Sequence, residues 1–588
     1  MTRSPRSAWQ RTVLSDLAAI AHAFPDEVVV VGRPRSVADG GLQVKVRLRT
    51  AEIAAAEGGV RLRTYEEFVM TVGLSSLVPP SVDVEHSRFL HHAHVLCGYR
   101  LCLYLDPARE WDPAQGIGGL LDRLVGWLRD AAGARFDART ALYHAVGGVL
   151  HVGAAVPTIV VRQSVSSSRR ASHAWLVRRA SRRYDLTLTR PLGQTAANHL
   201  PLITFDTDLP YGAGDTLAQL LYVMDHPYLP NLATPLIRPG RAKGTDQARM
   251  FLTAVAASAL RKPQGSSQGF IAAVPHPAGG PVHLLAARIS ASVTDQLRSL
   301  AAASRKKSAM IDIEASDLDT DAAVEWWRIS DERAEVTTRR DAQRPVTGFA
   351  GKTVLIWGCG GLGSWIAEYV MRAGPATLLL CDPATISGGL LVRQNYVEDD
   401  IGETKARALI RRLRSINEAP EVEEYTANGS GARELSAIDV IIDATISVGV
   451  GRILDDLCKG SHRPTVASVA TDLQTGTLGV MTVSMPPSPM GPLSIDRIAG
   501  QHVLVDSSRE AFHGLWATPR GSADELIPTR GCSVPTFHGS AADLAGVAAS
   551  LTSILGAHLK SPTAMSGTHL ISLPHGEAGP LRDYVPAG

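Results

Sequence analysis

The stretch from Lys352 to Asp382, KTVLIWGCGGLGSWIAEYVMRAGPATLLLCD, constrains the fold more than any other part of the chain. It reads as strand, glycine-rich turn, helix and second strand, which is a βαβ unit and demands a parallel sheet with a crossover helix on one face. Gly358-Cys359-Gly360-Gly361-Leu362-Gly363 fits G-x-G-x-x-G between the strand TVLIW and a helix beginning near Ser364. Glycines there let the backbone turn tightly and approach a phosphate, and the helix N-terminus adds unpaired N–H groups and a positive dipole end. Asp382 closes the next strand, about 20 residues downstream, where an acid can grip ribose hydroxyls.

A nicotinamide-dependent oxidoreductase would carry the same fingerprint, so the residues that follow decide. DPATISGGLLVRQNYVEDDIGETKARAL supplies Arg393-Gln394 and then Lys405 behind Asp400-Ile401-Gly402, a set suited to a triphosphate. An arginine fork and a lysine point charge can neutralise the charge that develops when a carboxylate attacks an α-phosphate and pyrophosphate leaves.

At 588 residues the chain is too long for one core and should hold three or four units. Hydrophobic residues at 45% and charged residues at 20% describe globular material. Fifty-nine basic against 57 acidic side chains leave no global field to hold the chain on nucleic acid or a membrane. The N-terminus lacks a secretory signal and no uninterrupted apolar run spans a bilayer, so the expected location is the cytoplasm. Six cysteines (Cys97, Cys102, Cys359, Cys381, Cys458, Cys532) are too scattered for a disulfide framework and lack the C-x-x-C pairs of a zinc site.

The expected fold class is α/β multidomain. Residues 1–162 read as an α+β domain: an apolar-periodic helix around Trp9 to Ala23, a meander from Glu27 to Thr50, and a helix carrying Leu120, Leu121, Leu124, Val125 and Leu128. Residues 163–185, rich in serine and arginine, are expected as a linker or exposed connecting helix. Arginines on a solvated face are commoner than a nucleic-acid patch. Residues 186–335 read as a middle α/β domain without a chemical motif, and 336–588 as a Rossmann-like domain.

From Arg339 to the C-terminus, the glycine-rich loop, Asp382, RQ, DIGETKA and the strand DVIIDAT resemble, in order, the ThiF and ubiquitin-activating superfamily. The resemblance implies adenylation of a protein's C-terminal carboxylate with ATP and Mg2+, with Gly358, Gly360, Gly361, Gly363, Asp382, Arg393, Gln394, Lys405 and Asp443 at the nucleotide. It also implies an arginine ahead of the loop that reaches a neighbouring subunit's nucleotide, matched by Arg339 or Arg340. Where the family writes D-x-D this chain has Asp382-Pro383-Ala384, and Ile446-Ser447 stand where it usually places a magnesium-binding aspartate. No metal ligand is therefore assigned, and a degenerate, non-adenylating scaffold is the alternative alongside the oxidoreductase.

An acyl-adenylate needs a thiol acceptor, because a thiolate is nucleophilic and a thioester keeps the acyl group activated. Cys359 and Cys381 read as core fillers and Cys458 as a helix-face residue. Cys532, in the polar TRGCSVPTF loop, resembles the transfer cysteine of bacterial ubiquitin-activating-like enzymes fused to a conjugating domain. His92-Ala93-His94-Val95, Gly98, Leu101-Cys102-Leu103 and Trp111-Asp112-Pro113 before a helix resemble ubiquitin-conjugating enzymes. On that pattern Cys102 takes the thioester, His94 stands at the oxyanion-stabilising asparagine, and Cys97 is structural.

The domain order resembles the fused enzymes of bacterial CBASS antiphage systems. That resemblance implies a protein substrate with a free C-terminal carboxylate, either a cGAS-like nucleotidyltransferase or a ubiquitin-like protein, a target amine of lysine, and a homodimer. No membrane or nucleic-acid partner is expected.

Overall fold

The structure is a computed structural model. It describes residues 6–37, 39–89, 92, 94–95, 100–104, 106–136, 156–165, 170–193, 198–206, 214, 216–225, 246–275, 280–307, 311, 313, 318–336, 343–426, 434–517, 539–561 and 563–587. Two compact units divide between residues 339 and 340.

In the first unit, helix Ala8–Ala23 starts where Ser7 and Gln10 cap each other's backbone in a capping box. A meander follows: β1 (Val28–Ser36), β2 (Leu42–Arg49), β3 (Tyr65–Val72) and β4 (Ser81–Asp83), antiparallel in the order β1-β2-β3-β4. Strict alternation on β2 buries Leu42, Val44, Val46 and Leu48, which pack with Phe68 and Met70 of β3. Helix Gly116–Ala132 closes this core through Leu120, Leu121, Leu124 and Leu128, the stripe that its spacing predicts.

The same core holds one buried charge. Glu66 on β3 is 1% exposed; Arg88 grips it with two guanidinium nitrogens at 2.9 and 2.5 Å, and the Arg63 amide donates at 2.7 Å. Burial pushes this carboxyl up, but hydrogen bonds from His86, Arg88 and Arg63 overcome it and hold the group at about 2.

A closed barrel follows, built from β5 (Thr158–Val161), β6 (Ala171–Ala180), β7 (Arg183–Thr187), β8 (His199–Thr204), β9 (Gln268–Val274), β10 (His283–Ile289) and β11 (Val324–Asp331). Its strand order is β10-β11-β5-β7-β6-β8-β9. Ile159, Val161, Ala174, Leu176, Leu200, Leu202 and Ile271 fill the interior. Helices Leu217–Asp225, Asp246–Ala259 and Ala291–Lys307 contribute to a second apolar layer with β8, β9, β10 and the start of β11.

The Ser/Arg-rich segment, expected as a linker or helix, instead supplies β6 and the start of β7. Its arginines mask a period of two: Ala174 and Leu176 point into the barrel, while Arg179 and Arg183 turn outward onto Asp185.

The second unit is an eight-stranded sheet of β12 (Thr353–Trp357), β13 (Thr377–Cys381), β14 (Glu421–Glu424), β15 (Val440–Asp443), β16 (Thr465–Thr471), β17 (Leu478–Ser484), β18 (Gly567–Ser572) and β19 (Leu581–Pro586). The order is β14-β13-β12-β15-β16-β17-β18-β19, parallel from β14 to β16 and antiparallel beyond. Helices Gly363–Arg372 and Lys405–Ile416 form the crossovers beside β13, and the near-continuous apolar β12, β13 and β15 are buried on both faces. Helix Ala541–Lys560 is, by length and composition, apolar enough to cross a membrane, unlike anything expected from the sequence. Its apolar residues Leu544, Val547, Leu551 and Leu555 instead join Ile356, Ala467 and Met481 in the sheet's core.

Replacing Arg88 with methionine should strand the Glu66 charge and cost about 3–5 kcal/mol in urea unfolding followed by tryptophan fluorescence. In the wild type the stabilisation from Glu66 is complete above the ordinary carboxyl value of 4.5 and is lost as pH falls toward about 2. An acid-unfolding curve of Glu66→Gln should therefore be flatter across that window.

Candidate functional site

The carboxyl ends of β12, β13 and β15 lie side by side, with Trp357 in register with Cys381 on one side and Asp443 on the other. The chain leaves β12 through Gly358, whose φ of 89° places it in the left-handed region that favours glycine. A side chain at position 363 would meet the Gly358 carbonyl oxygen at 1.9 Å, so the loop folds back on the first turn of helix Gly363–Arg372. At Gly360, by contrast, a Cβ would meet nothing within 4 Å. The loop thus offers open space beside a helix N-terminus, a cradle that fits a phosphate.

Both oxygens of Asp382 accept backbone amides, one of them from the loop. Oδ2 accepts the Cys359 amide at 2.8 Å and lies 3.9 Å from Lys405 Nζ, while Oδ1 accepts the Ala384 amide at 2.9 Å. Lys405 opens its helix with its own amide on the Ala384 carbonyl at 2.9 Å, so the lysine and the aspartate are fixed by neighbouring backbone. Both side chains are 12% exposed.

Arg393 and Gln394 lie on the turn after helical residues Gly388–Leu390, where Trp365 Nε1 donates to the Arg393 carbonyl at 3.2 Å. Gln394 is buried, and its Oε1 has no hydrogen-bond partner among the described residues. An orphaned acceptor in a buried amide calls for a donor, and the edge of a nucleotide supplies one.

Asp443 is buried at the end of β15; Oδ1 accepts the Thr445 amide at 2.9 Å and hydroxyl at 2.7 Å. Burial pushes its carboxyl up, and the Thr445 bonds oppose that rise. Among the described residues no group of three or more His, Cys, Asp or Glu is placed to hold a metal.

Two supports of this site carried no motif. Tyr396 is buried and its hydroxyl donates to the Cys359 carbonyl at 2.7 Å, bracing the loop from below. Glu368 accepts from Asn395, Arg372 and Arg412, tying the RQN turn to both crossover helices. A buried tyrosine two residues past Gln394 was the available signal, since a buried phenol needs a partner.

The thiols sort by setting. Cys359 is fully buried in the core, and burial, then Asp382, pushes its thiol well up. Cys381 is pushed to about 11, chiefly by burial, and Cys458 caps helix Val448–Leu457 with a buried, raised thiol. Cys532, Cys97, Arg339 and Arg340 lie outside the described residues. The described chain resumes at Gly539, and the Ala541 amide donates to the carbonyl of Val392, next to Arg393, at 2.9 Å.

In the first unit Cys102 is half-buried, with its amide on the His94 carbonyl at 2.8 Å and Sγ 3.5 Å from the Tyr104 carbonyl. His94 takes φ 64°, rare outside glycine, and stacks edge-on against Phe136 at 4.8 Å. Arg123 reaches in from helix Gly116–Ala132: Nε donates to the Leu103 carbonyl at 2.6 Å, a terminal nitrogen pairs with Glu110 at 2.8 Å, and the guanidinium lies 5.5 Å from the Tyr104 ring centre. Burial and then Glu110 push the Cys102 thiol up, while Arg123 draws it down. Burial, and then Arg123, push the His94 imidazole below its ordinary value. Arg123 and Glu110 had no motif to mark them, being separated in sequence from the cysteine they face.

The ThiF family matches residues 349–552, which span the glycine loop and the parallel strands around it. The Cap2 central linker domain matches residues 162–332 and the Prokaryotic E2 family A matches residues 24–146. The three matches, in this order, fit the domain organisation of a bacterial fused E2-like/ThiF enzyme of CBASS type.

Among curated relatives, the adenylyltransferase and sulfurtransferase MOCS3 of Mus musculus is 33% identical over 138 residues, 23% of this chain and 29% of its own length. The ubiquitin-activating enzyme E1 1 of Arabidopsis thaliana is 33% identical over 123 residues, 21% of this chain and 11% of its own length. The chain thus matches less than a third of either relative. Among solved structures, E. coli MccB with ATP is similar at 17% identity and a TM-score of 0.29, covering 42% of this chain and 67% of that one.

Gly363→Ala should lower the stability of the second unit by about 3 kcal/mol, because backbone must move to admit the methyl group. Gly360→Ala, facing open space, should stay within about 0.5 kcal/mol of wild type in the same chemical denaturation.

Proposed function

We propose that the chain activates a protein's C-terminal carboxylate at the glycine-rich loop, carries it as a thioester, and joins it to an amine. The observation that carries this reading is the presence, in one chain, of a ThiF-type phosphate cradle with Asp382 and Lys405 at its mouth and an E2-type domain holding Cys102. Relatives named for adenylyl transfer and ubiquitin activation support it. In this division of labour, residues 336–588 adenylate, the E2-type domain conjugates, and the barrel that begins at Thr158 stands between them in the sequence.

ATP is the nucleotide, entering with Mg2+ on its phosphates. Loop amides from Gly360, Gly361 and Gly363 hold the phosphates, with Gly358 supplying the tight turn beneath them, and Lys405 and Arg393 offset the charge that builds as the carboxylate oxygen bonds to the α-phosphorus and pyrophosphate departs. Gln394 and Asp443 bind the rest of the nucleotide, and Arg339 or Arg340 reaches the nucleotide of a second subunit in a homodimer. The Cys532 thiolate then attacks the acyl carbon and AMP leaves. Cys102 attacks next and releases the Cys532 thiolate. A lysine amine finally displaces Cys102, giving up its proton as the isopeptide bond forms.

Arg123 is the charge at hand to steady the departing Cys102 thiolate. The substrate is a cGAS-like nucleotidyltransferase or a ubiquitin-like protein, and the setting is antiphage defence in the cytoplasm.

ATP–pyrophosphate exchange tests the first step. Exchange should require the protein substrate with a free C-terminus and vanish when that terminus is amidated. Lys405→Met should lower it by about 10²-fold or more. Undiminished exchange in that variant would remove Lys405 from the chemistry, and no exchange with either substrate class would favour the non-adenylating scaffold.

A further inference from the structure

The barrel carries a chain of basic side chains on its outer surface. Trp175 of β6 pairs in register with His199 of β8, and both alternate with the inward Ala174 and Leu200, so His173, Trp175 and His199 face out. Near the end of helix Asp246–Ala259, Ser258 sets its Oγ 2.9 Å from Nδ1 of His199, which is 3% exposed. The other nitrogen of that ring, Nε2, lies 3.0 Å from His173 Nδ1 and 3.5 Å from a guanidinium nitrogen of Arg261. Arg261 is fastened just past the helix, its amide on the Ser258 carbonyl at 3.0 Å. His173 and Arg261 are exposed, and Arg261 has no carboxylate partner among the described residues.

The partners fix every hydrogen in this chain. An arginine only donates, so His199 Nε2, which faces it, is the bare nitrogen, and Nδ1–H donates to Ser258. Burial, and then Arg261, His173 and Lys262, hold the His199 imidazole at about 4, in keeping with a neutral ring. His173 Nδ1 then supplies the hydrogen shared with His199 Nε2, which leaves His173 Nε2 as a lone pair. That atom makes no hydrogen bond among the described residues. Desolvation, and then Arg261, push His173 below its ordinary value, so proton uptake there is opposed. Because Arg261 and His173 both meet the same nitrogen of His199, a fixed cation and a fixed acceptor stand side by side.

These two demands sort the possible ligands. A metal ion suits a bare imidazole, but the guanidinium repels it. Sulfate and carboxylates suit the guanidinium and bring no hydrogen for the imidazole, so one lone pair would face another. A phosphate monoester has given up its second proton by neutral pH, its second pKa being about 6. Inorganic phosphate keeps a hydrogen beyond neutrality and carries charged oxygens as well.

The geometry points to Arg261 and His173 as a binding site for inorganic hydrogen phosphate on the barrel's outer wall. The charged oxygens take the Arg261 fork, and the P–OH group donates to His173 Nε2. This goes beyond the activation chemistry and uses none of its residues.

Isothermal titration calorimetry of the full chain with inorganic phosphate tests this at about pH 7.5, where a monoester is largely deprotonated. ATP is present to fill the glycine-rich loop, and sulfate and glycerol phosphate are titrated alongside at matched ionic strength. Phosphate should bind about tenfold more tightly than either, because only it satisfies the bare nitrogen. Arg261→Gln should weaken phosphate binding about tenfold, and Arg261→Lys, which keeps the charge and loses the fork, about threefold. His173→Phe should abolish the preference for phosphate over sulfate, and the two Arg261 variants decide the matter should that one fail to fold. No phosphate heat in wild type, equal affinity for sulfate, or undiminished phosphate affinity in Arg261→Gln would each overturn the assignment. Pyrophosphate exchange should be unchanged in Arg261→Gln, so failure of the phosphate site and failure of the adenylation reading are separate results.

Discussion

The Gly358 carbonyl occupies the place where any side chain at position 363 would have to sit. That one close approach draws the end of β12 onto the start of the crossover helix and brings the Cys359 amide within reach of Asp382. Everything else at the sheet edge is fastened to it. Tyr396 supports the loop through the Cys359 carbonyl, Asp382 joins the loop to β13, and the same carboxylate keeps Lys405 close. A phosphate cradle of this kind is backbone chemistry, so its demands fall on glycine and on the groups that brace it.

The cysteines illustrate how burial and charge divide structural from reactive thiols. Cys359 and Cys458 are sealed in apolar surroundings that disfavour a thiolate, a setting suited to packing. Cys102 shares the upward push of burial but is only half-covered and faces a guanidinium and a carboxylate of opposite effect. Arg123 and Glu110 are themselves paired at 2.8 Å, so their opposing effects on the thiol come from one ion pair.

The parts of the fold that were legible in the sequence are those in which one residue type has one physical job. Glycines at 358 and 363 are required by conformation and space, and the alternation along β2 and the leucine stripe from Leu120 to Leu128 report a single buried face. Legibility failed where residues serve two ends. The arginines of β6 and β7 looked like a solvated linker because their long side chains hide strands whose small and aliphatic residues line a barrel. Helix Ala541–Lys560 owes its apolar character to a core two-sided enough to bury much of it. Arg123, Glu110 and Tyr396 act through contacts made only once distant segments meet, and no spacing rule could list them.

What joins the two ends of the chain is the claim that activation at the nucleotide loop is handed from one thiol to another. The most direct measurement is peptide-mapped mass spectrometry of unreduced protein after incubation with ATP and substrate. Cys102→Ala should accumulate the acyl group on Cys532, and Cys532→Ala should show none on either cysteine. An adduct forming on Cys102 at the wild-type pace in Cys532→Ala would contradict the account.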